Sequence, residues 1–189
     1  MAAPSLFAER WLRTLMVAAI LGWAAPPVPA QMVTPLAYRV KAAFVYNFAL
    51  FVEWPRVALG PEHQTVVLGI VGDDPLATEL EQVDGKRIGT RTLRVTRLDT
   101  QQELGGCHIL YVGASERERL PSILERAAAH HVLTVGDMAR FIDKGGMIGF
   151  IIEGESVRFE VCVARAQKAG LKLSAKLLQV ARLVDCGTD

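Results

Sequence analysis

The hydrophobic pattern of the chain alternates between runs typical of buried strands and segments typical of helices. TVVLGIVG (65–72), CHILYVG (107–113) and HVLTVG (131–136) are apolar on both faces, as strands covered on two sides are. TLRVTRL (92–98) instead alternates with a period of two. Because helical segments separate these runs, the pattern predicts one α/β domain, with a largely parallel sheet and helices on both faces.

Proline and polar capping residues mark where the first helices begin. Thr34 before Pro35 predicts an opening helix over about 35–54, which the Trp54-Pro55 step should end. Asp74 stands before Pro75 in the same arrangement and predicts the cap of a second helix.

Two further caps are predicted in the middle of the chain. Ser115 and Glu118 have the spacing of a capping box, at the head of a helix reaching to about residue 129. Asp137 precedes MARFIDKGG and is predicted to cap a short helix there.

The last third of the chain has a different pattern. MIGFII (147–152) and VRFEVCV (157–163) flank the turn residues EGES, and they predict an antiparallel hairpin. The segment LKLSAKLLQVARLV follows, and we expect it to form a helix that closes the core. Its apolar residues at helical spacing are Leu173, Leu177, Val180, Ala181 and Val184.

An asparagine lies within the most apolar stretch of the opening helix. At 100° per residue, one arc of roughly 100° is expected to be buried, with Asn47 near its centre. This arc holds Leu36, Val40, Ala43, Phe44, Asn47, Phe51 and Trp54. Because a buried amide needs hydrogen bonds, Asn47 is either a structural pin bonded within the fold or a contact for a ligand or partner.

The N-terminus has the features of a secretory signal peptide. Arg10 and Arg13 precede the apolar run LMVAAILGWAA, and Val28 and Ala30 stand at −3 and −1 of a cleavage site. The alternative is a membrane anchor, but the run is short for a core of ~30 Å. We therefore expect residues 1–30 to be removed and residues 31–189 to form one exported domain, with no insertion into the membrane after cleavage.

Charge and cysteine content limit the possible functions. Removing the signal peptide leaves equal numbers of acidic and basic side chains, so the charge does not indicate nucleic-acid binding. In an oxidising compartment, one disulfide and one free thiol are possible among Cys107, Cys162 and Cys186. A Cys162–Cys186 bond would require the tail to wrap around a sheet edge, and Cys107 begins a buried strand, which favours Cys107 as the free thiol.

The ends of the predicted strands provide the main candidate site. Asp73, Asp74, Ser115 and Asp137 follow strands that end in glycine, and in an open α/β sheet these ends form a crevice for small molecules. The alternative is that Asp74, Ser115 and Asp137 are helix caps, which leaves Asp73 as the residue not required for capping. The sequence contains no nucleophile elbow, phosphate-binding glycine loop or zinc pattern, so we predict no catalytic, cofactor-binding or metal-binding residues.

Two long stretches are similar to a known family. YRVKAAFVYNFALFVEWP and GGMIGFIIEGESVRFEVCVARAQKAGLKLSAKLLQVARLV resemble the YfiR family of exported bacterial proteins, and CHILYVG and VLTVGDMARF fit the same pattern. The resemblance implies an α/β fold, a homodimer and a non-catalytic periplasmic protein that inhibits a membrane-bound diguanylate cyclase through its periplasmic part. It thus implies restraint of cyclic-di-GMP signalling and biofilm formation. The alternative is a periplasmic sensing module that binds a metabolite in the strand-end crevice.

Overall fold

The computed structural model describes residues 34–99 and 104–187. The predicted signal peptide, residues 1–30, lies outside these ranges. Within them, no helix combines the length and the apolarity needed to cross a membrane.

The larger sheet of the described residues has eight strands. The strands, in chain order and including a separate small pair, are β1 (Val52–Glu53), β2 (Thr65–Val71), β3 (Arg87–Ile88), β4 (Arg91–Arg97), β5 (Ile109–Val112), β6 (Leu133–Gly136), β7 (Ile148–Glu153), β8 (Ser156–Val161), β9 (Lys172–Leu173) and β10 (Arg182–Leu183). The order across the large sheet is β10-β8-β7-β6-β5-β2-β4-β3, while β1 pairs with β9. All neighbours in the large sheet are parallel except β3–β4 and the β7–β8 hairpin. The predicted α/β class, parallel sheet and C-terminal hairpin are therefore confirmed.

Helices cover both faces of this sheet. They are α1 (Pro35–Phe51), α2 (Pro75–Glu81), α3 (Leu120–Ala128), α4 (Val163–Lys168) and α5 (Ala175–Val180). The two faces hold separate apolar clusters, because successive side chains of a strand point to opposite sides. In β5, Ile109 and Tyr111 pack with α1 and α2 on one face, while Leu110 and Val112 pack with α3 on the other.

The predicted burial of α1 is only partly correct, because Phe44 and Phe51 of the predicted arc pack against the core while its other residues in the helix face outward. Leu36 is 67% exposed and Val40 37% exposed, although both belong to the arc expected to be buried. The opposite side of the helix packs against the sheet through Lys41, Ala42, Val45, Phe48 and Ala49. The helix also ends at Phe51, three residues early, because Val52 and Glu53 become β1 and pair with β9. An apolar sequence on every side of a helix does not indicate by itself which side faces the core.

The segment after β6 forms turns and not the predicted helix. Residues 139–145 are turns, and Arg140 adopts a positive φ of 60°. Left-handed backbone at a non-glycine residue interrupts helical hydrogen bonding and is uncommon. The ring of Phe141 packs closely on Gly136 and Gly146, where a Cβ would lie 2.5 and 2.1 Å from its atoms. Asp137 therefore caps no helix.

The middle helix also begins later than predicted. Ala114, Ser115 and Glu116 form a short 3-10 turn, and α3 starts only at Leu120, with Pro121 in its first turn. Ser115 is therefore inside the preceding turn and does not cap α3, and the capping box with Glu118 does not form. Proline fits the first turn of a helix, where its missing N–H leaves no bond unmade, and this favours the later start.

The C-terminal segment divides into two strands and a short helix. Lys172–Leu173 is β9, α5 follows from a Ser174 cap, and Arg182–Leu183 is β10. Leu177 is buried, whereas Val180 is 56% exposed, so the predicted single apolar helix face is wrong. The reason is tertiary: β10 pairs in parallel with β8 and draws the tail along the sheet edge.

The tail is fixed to the sheet by a disulfide. Cys162 and Cys186 are bonded with their Cα atoms 5.9 Å apart, and Cys107 is a buried free thiol, as the sequence favoured. Arg165 Nη2 donates to the carbonyl of Cys186 at 3.2 Å, and Nη1 donates to that of Gly146 at 3.1 Å. Because β10 runs along the edge of the sheet, the tail wraps around that edge, as the Cys162–Cys186 disulfide requires.

Candidate functional site at the strand ends

A groove of about 850 Å³ opens at the carboxyl ends of the parallel strands. Open α/β sheets usually bind ligands at this end, where the loops after neighbouring strands separate. The groove is lined by Asp74 after β2, Ala114 after β5 and Asp137 after β6, together with Tyr38 and Lys41 from α1. Phe150, Ile151 and Ile152 of β7 supply apolar lining, and Arg140, Asp143, Glu160 and Arg182 supply charged groups.

A buried ion pair links α1 to the end of β6 in this groove. Lys41 Nζ lies 2.6 Å from Oδ1 and 2.7 Å from Oδ2 of Asp137. The Lys41 side chain is 2% exposed and the Asp137 side chain 19% exposed. Burial raises the pKa of Asp137, and the contact with Lys41 partly offsets this rise. Because neither charge is well hydrated, loss of either partner would leave the other in an unfavourable environment.

Aromatic rings surround the lysine. Its Nζ lies 5.3 Å from the ring centre of Tyr38 and 6.0 Å from that of Phe150. A cation over an aromatic face is attracted by the ring quadrupole, which helps to hold the ammonium group in place. Burial and the negative charge of Asp137 raise the pKa of Tyr38, which therefore keeps its proton.

Asp74 contributes to both the groove and the local fold. Its Oδ1 accepts a hydrogen bond from the backbone N–H of Ala77 at 3.0 Å, which caps α2. Its Oδ2 accepts from the hydroxyl of Tyr111 at 2.7 Å. Burial and the nearby Asp74 carboxylate raise the pKa of Tyr111, so this phenol remains a donor.

Asp73 and Ser115 lie beside the groove and do not line it. The Asp73 side chain is 88% exposed, and its Oδ1 is 3.3 Å from Nη1 of Arg97. Ser115 Oγ accepts a hydrogen bond from the backbone N–H of Asp73 at 3.1 Å. Gly72 makes this close approach possible, because it has a positive φ of 93° and a Cβ there would lie 2.6 Å from Ser115 Oγ. The predicted ring of four polar residues thus reduces to Asp74 and Asp137 in the groove.

Salt bridges border the groove. Arg182 Nη2 lies 3.3 Å from Glu160 Oε1, and Arg182 Nη1 lies 3.3 Å from Glu153 Oε1. Arg140 Nε pairs with Asp143 Oδ2 at 2.8 Å. Charged groups at the rim and apolar side chains below it suit a polar or zwitterionic molecule with an apolar part.

Asn47, the other predicted contact, faces away from the core and is half-buried. Its side chain makes no hydrogen bond to the part of the chain that the structure describes, so the described fold does not provide the structural pin that was one of its two predicted roles. Contact with a ligand or a partner is the other predicted role of Asn47, and it stays a prediction.

The other chemically active side chains have structural roles. Burial raises the pKa of Cys107 to about 12, which keeps the thiol protonated. Burial lowers the pKa of His108, whose Nδ1 accepts from the Val67 N–H at 3.0 Å. Among the described residues, no three His, Cys, Asp or Glu side chains are grouped to bind a metal. These side chains therefore stabilise the fold and do not line the groove.

Sequence reasoning missed Lys41 and Tyr111. Lys41 lies on the same side of the helix as Ala42, Val45 and Phe48, and a lysine in that position is the signal that would have indicated a buried charge. Its partner Asp137 is 96 positions away, and a separation of that size is not visible in a local pattern.

Comparison with known proteins identifies the family. The family model described as YfiR/HmsC-like matches residues 38–182. The chain belongs to the YfiR/HmsC-like family. The resemblance inferred from the sequence is therefore confirmed.

A solved structure shows a related fold for this YfiR/HmsC-like chain. A conserved domain protein from Vibrio cholerae O1 biovar El Tor superposes with a TM-score of 0.53 at 10% identity, covering 78% of this chain. The chain spans 60% of the length of that structure. An ABC domain from Streptococcus pneumoniae, solved in complex with L-Trp, gives a TM-score of 0.44 at 10% identity over 68% of this chain and 58% of its own. No curated protein matches the chain.

Proposed function

We propose that the protein is a periplasmic inhibitor that binds the periplasmic part of a membrane-bound diguanylate cyclase, and so restrains cyclic-di-GMP signalling and biofilm formation. The observation that carries this proposal is the match to the YfiR/HmsC-like family over residues 38–182. In this proposal the signal peptide is cleaved after Ala30, and the mature protein acts as a homodimer.

The geometry of the described residues supports action by binding. The charged groups of the groove are held by partners within the fold, as Lys41 is by Asp137 and Asp74 by the Tyr111 hydroxyl, and the buried thiol of Cys107 keeps its proton. A regulator of this kind needs stable surfaces and no reactive group.

Deletion of the gene tests the proposal. Cellular cyclic-di-GMP should rise when the gene is removed and return to its original concentration when the wild-type gene is restored. A matched variant lacking residues 1–30 should fail to restore it, because the protein would remain in the cytoplasm. Unchanged cyclic-di-GMP after deletion would contradict the inhibitory role. N-terminal sequencing of the periplasmic protein should begin at Gln31, and retention of residues 1–30 would contradict the cleavage.

A second candidate function is the sensing of a small molecule in the strand-end groove. The groove of about 850 Å³ favours it, because buried polar groups and apolar strand residues meet there. The melting temperature is measured with each member of a panel of periplasmic metabolites, for the wild type and two variants. Ala139→Trp places a large side chain at the mouth of the groove, and Ala128→Trp is the matched control outside it. Both alanines are exposed. A compound that stabilises wild type and Ala128→Trp but not Ala139→Trp would support the groove, and equal responses in all three would exclude it.

A further inference from the structure

Helix α1 has a second apolar face that the described residues leave exposed. We define the outer stripe as Leu36, Val40, Ala43, Asn47 and Leu50, which recur at spacings of four and three residues. Leu36, Val40 and Leu50 are 67%, 37% and 41% exposed. The core is packed by the other side of the helix, where Phe48 is fully buried.

The composition of α1 is unusual for a helix with one side in water. A surface helix normally carries charged residues on its solvent side, whereas a helix that is apolar all round is normally buried. The charged residues of Pro35–Phe51 are Arg39 and Lys41, and Lys41 is buried against Asp137. Arg39 lies to one side of the stripe, 3.9 Å from Glu79. The outer stripe itself therefore carries no charge.

The order of residues in the stripe fits a helix that pairs with a copy of itself. In heptad terms Val40 and Asn47 occupy the a positions, and Leu36, Ala43 and Leu50 occupy the d positions. A β-branched residue at a with leucine at d favours two strands, and a single asparagine at a selects register and oligomeric state. Ala43 at the centre allows a close approach of the two helices.

Asn47 provides a second argument that the molecule covering the stripe is another copy of this chain. Its amide has both a donor and an acceptor, and it has no hydrogen-bond partner among the described residues. A two-fold axis brings each residue on it against itself, so two Asn47 amides can satisfy one another. A partner of different sequence would need its own polar group at that point.

We infer that the outer stripe is the surface through which two copies of this chain pair, with α1 parallel to α1 across a two-fold axis and Asn47 facing Asn47. This inference locates the homodimer of the proposed function and does not depend on the cyclase. Oligomeric state and cellular cyclic-di-GMP are measured in separate experiments. A result against the pairing surface is therefore distinguishable from a result against the inhibition of the cyclase.

Sedimentation equilibrium of the periplasmic protein over a wide concentration range tests the surface. Wild type should dimerise, and Val40→Glu should weaken the dimer at least about tenfold, because two carboxylates would meet in an apolar contact. Val57→Glu is the matched control, since Val57 is 79% exposed and lies off the stripe. It should dimerise like wild type, and circular dichroism should show both variants folded. A monomeric wild type, or a Val40→Glu dimer of unchanged strength, would overturn the inference.

Cysteine cross-linking tests the orientation. A disulfide needs Cα atoms about 4.4–6.8 Å apart, so Asn47→Cys, Leu36→Cys and Leu50→Cys should each give covalent dimers on mild oxidation. Exposed Val180→Cys should not. Cross-linking by none of the stripe variants, or only by Leu36→Cys mixed with Leu50→Cys, would overturn the parallel arrangement. A monomeric wild type in which Val40→Glu abolishes inhibition would assign the stripe to the cyclase and overturn the pairing of two copies.

Discussion

Helices α1 and α3 lie on opposite faces of the same sheet, and they differ in the kind of side chains that they expose to solvent. The buried stripe of α3 is Leu120, Ile123, Leu124 and Ala127. Its exposed side carries Ser122 and Glu125, so all its large aliphatic side chains are buried within one chain. Helix α1 is apolar on both sides and also buries a lysine. An amphipathic helix completes its packing within one chain, whereas α1 has apolar surface left for another molecule.

The largest expected effect is at the buried charge of α1. Lys41→Met should lower the free energy of unfolding by about 3–5 kcal/mol, because Asp137 would remain buried without its partner. Urea denaturation of the wild type and the variant measures the difference. The double change Lys41→Met with Asp137→Leu is the control and should recover most of the loss. A Lys41→Met protein as stable as wild type would show that the charge is hydrated, and α1 would then resemble an ordinary surface helix.

Alkaline pH should weaken the face that α3 covers. Cys107 packs in the α3 cluster, and burial raises its pKa from the ordinary 9.0 to about 12. Since the unfolded chain loses this proton first, the stabilising contribution is complete below pH 9 and is lost as the pH rises through about 12. Between these values the free energy of unfolding should fall by about 1.4 kcal/mol per pH unit more than in Cys107→Ala. Parallel profiles for the two proteins would contradict the burial of the thiol.

A smaller effect is expected on the inner side of α3. Ile123→Val removes one buried methylene and should cost about 0.5–1.5 kcal/mol. Thermal and urea unfolding measure this loss, and the association state should stay that of wild type. If Ile123→Val altered dimerisation, the separation of roles between the two helices would be wrong.

The smallest effect is expected on the outer side of α3. Glu125→Ala should change the unfolding free energy by less than about 0.5 kcal/mol, because Glu125 is exposed on a solvent face. Sedimentation should also show no change in association, in contrast to Val40→Glu on α1. Weaker dimerisation of Glu125→Ala would mean that α3, and not only α1, contributes to a contact between chains.

Local signals in the sequence were sufficient to predict most of the architecture. Continuous apolar runs identified the buried strands near Thr65–Val71 and Ile109–Val112, and Asp74 before Pro75 correctly placed the start of α2. The C-terminal hairpin followed from two strands around a short turn. These features depend on neighbouring residues, whose propensities act wherever the segment lies.

Only the tertiary structure decided which residues meet in the groove and which side of α1 faces inward. Lys41 pairs with Asp137 across 96 positions, and β10 turns part of a predicted helix into a strand by pairing with β8. The helix predicted after β6 does not form. Arg140 adopts a left-handed backbone conformation there, next to the closely packed ring of Phe141. Helix α1 has apolar residues on every side, so its sequence pattern did not indicate which side is buried. The sheet, the ion pair and the neighbouring helices selected that side. The sequence by itself determined the elements, and long-range contacts determined their faces and ends.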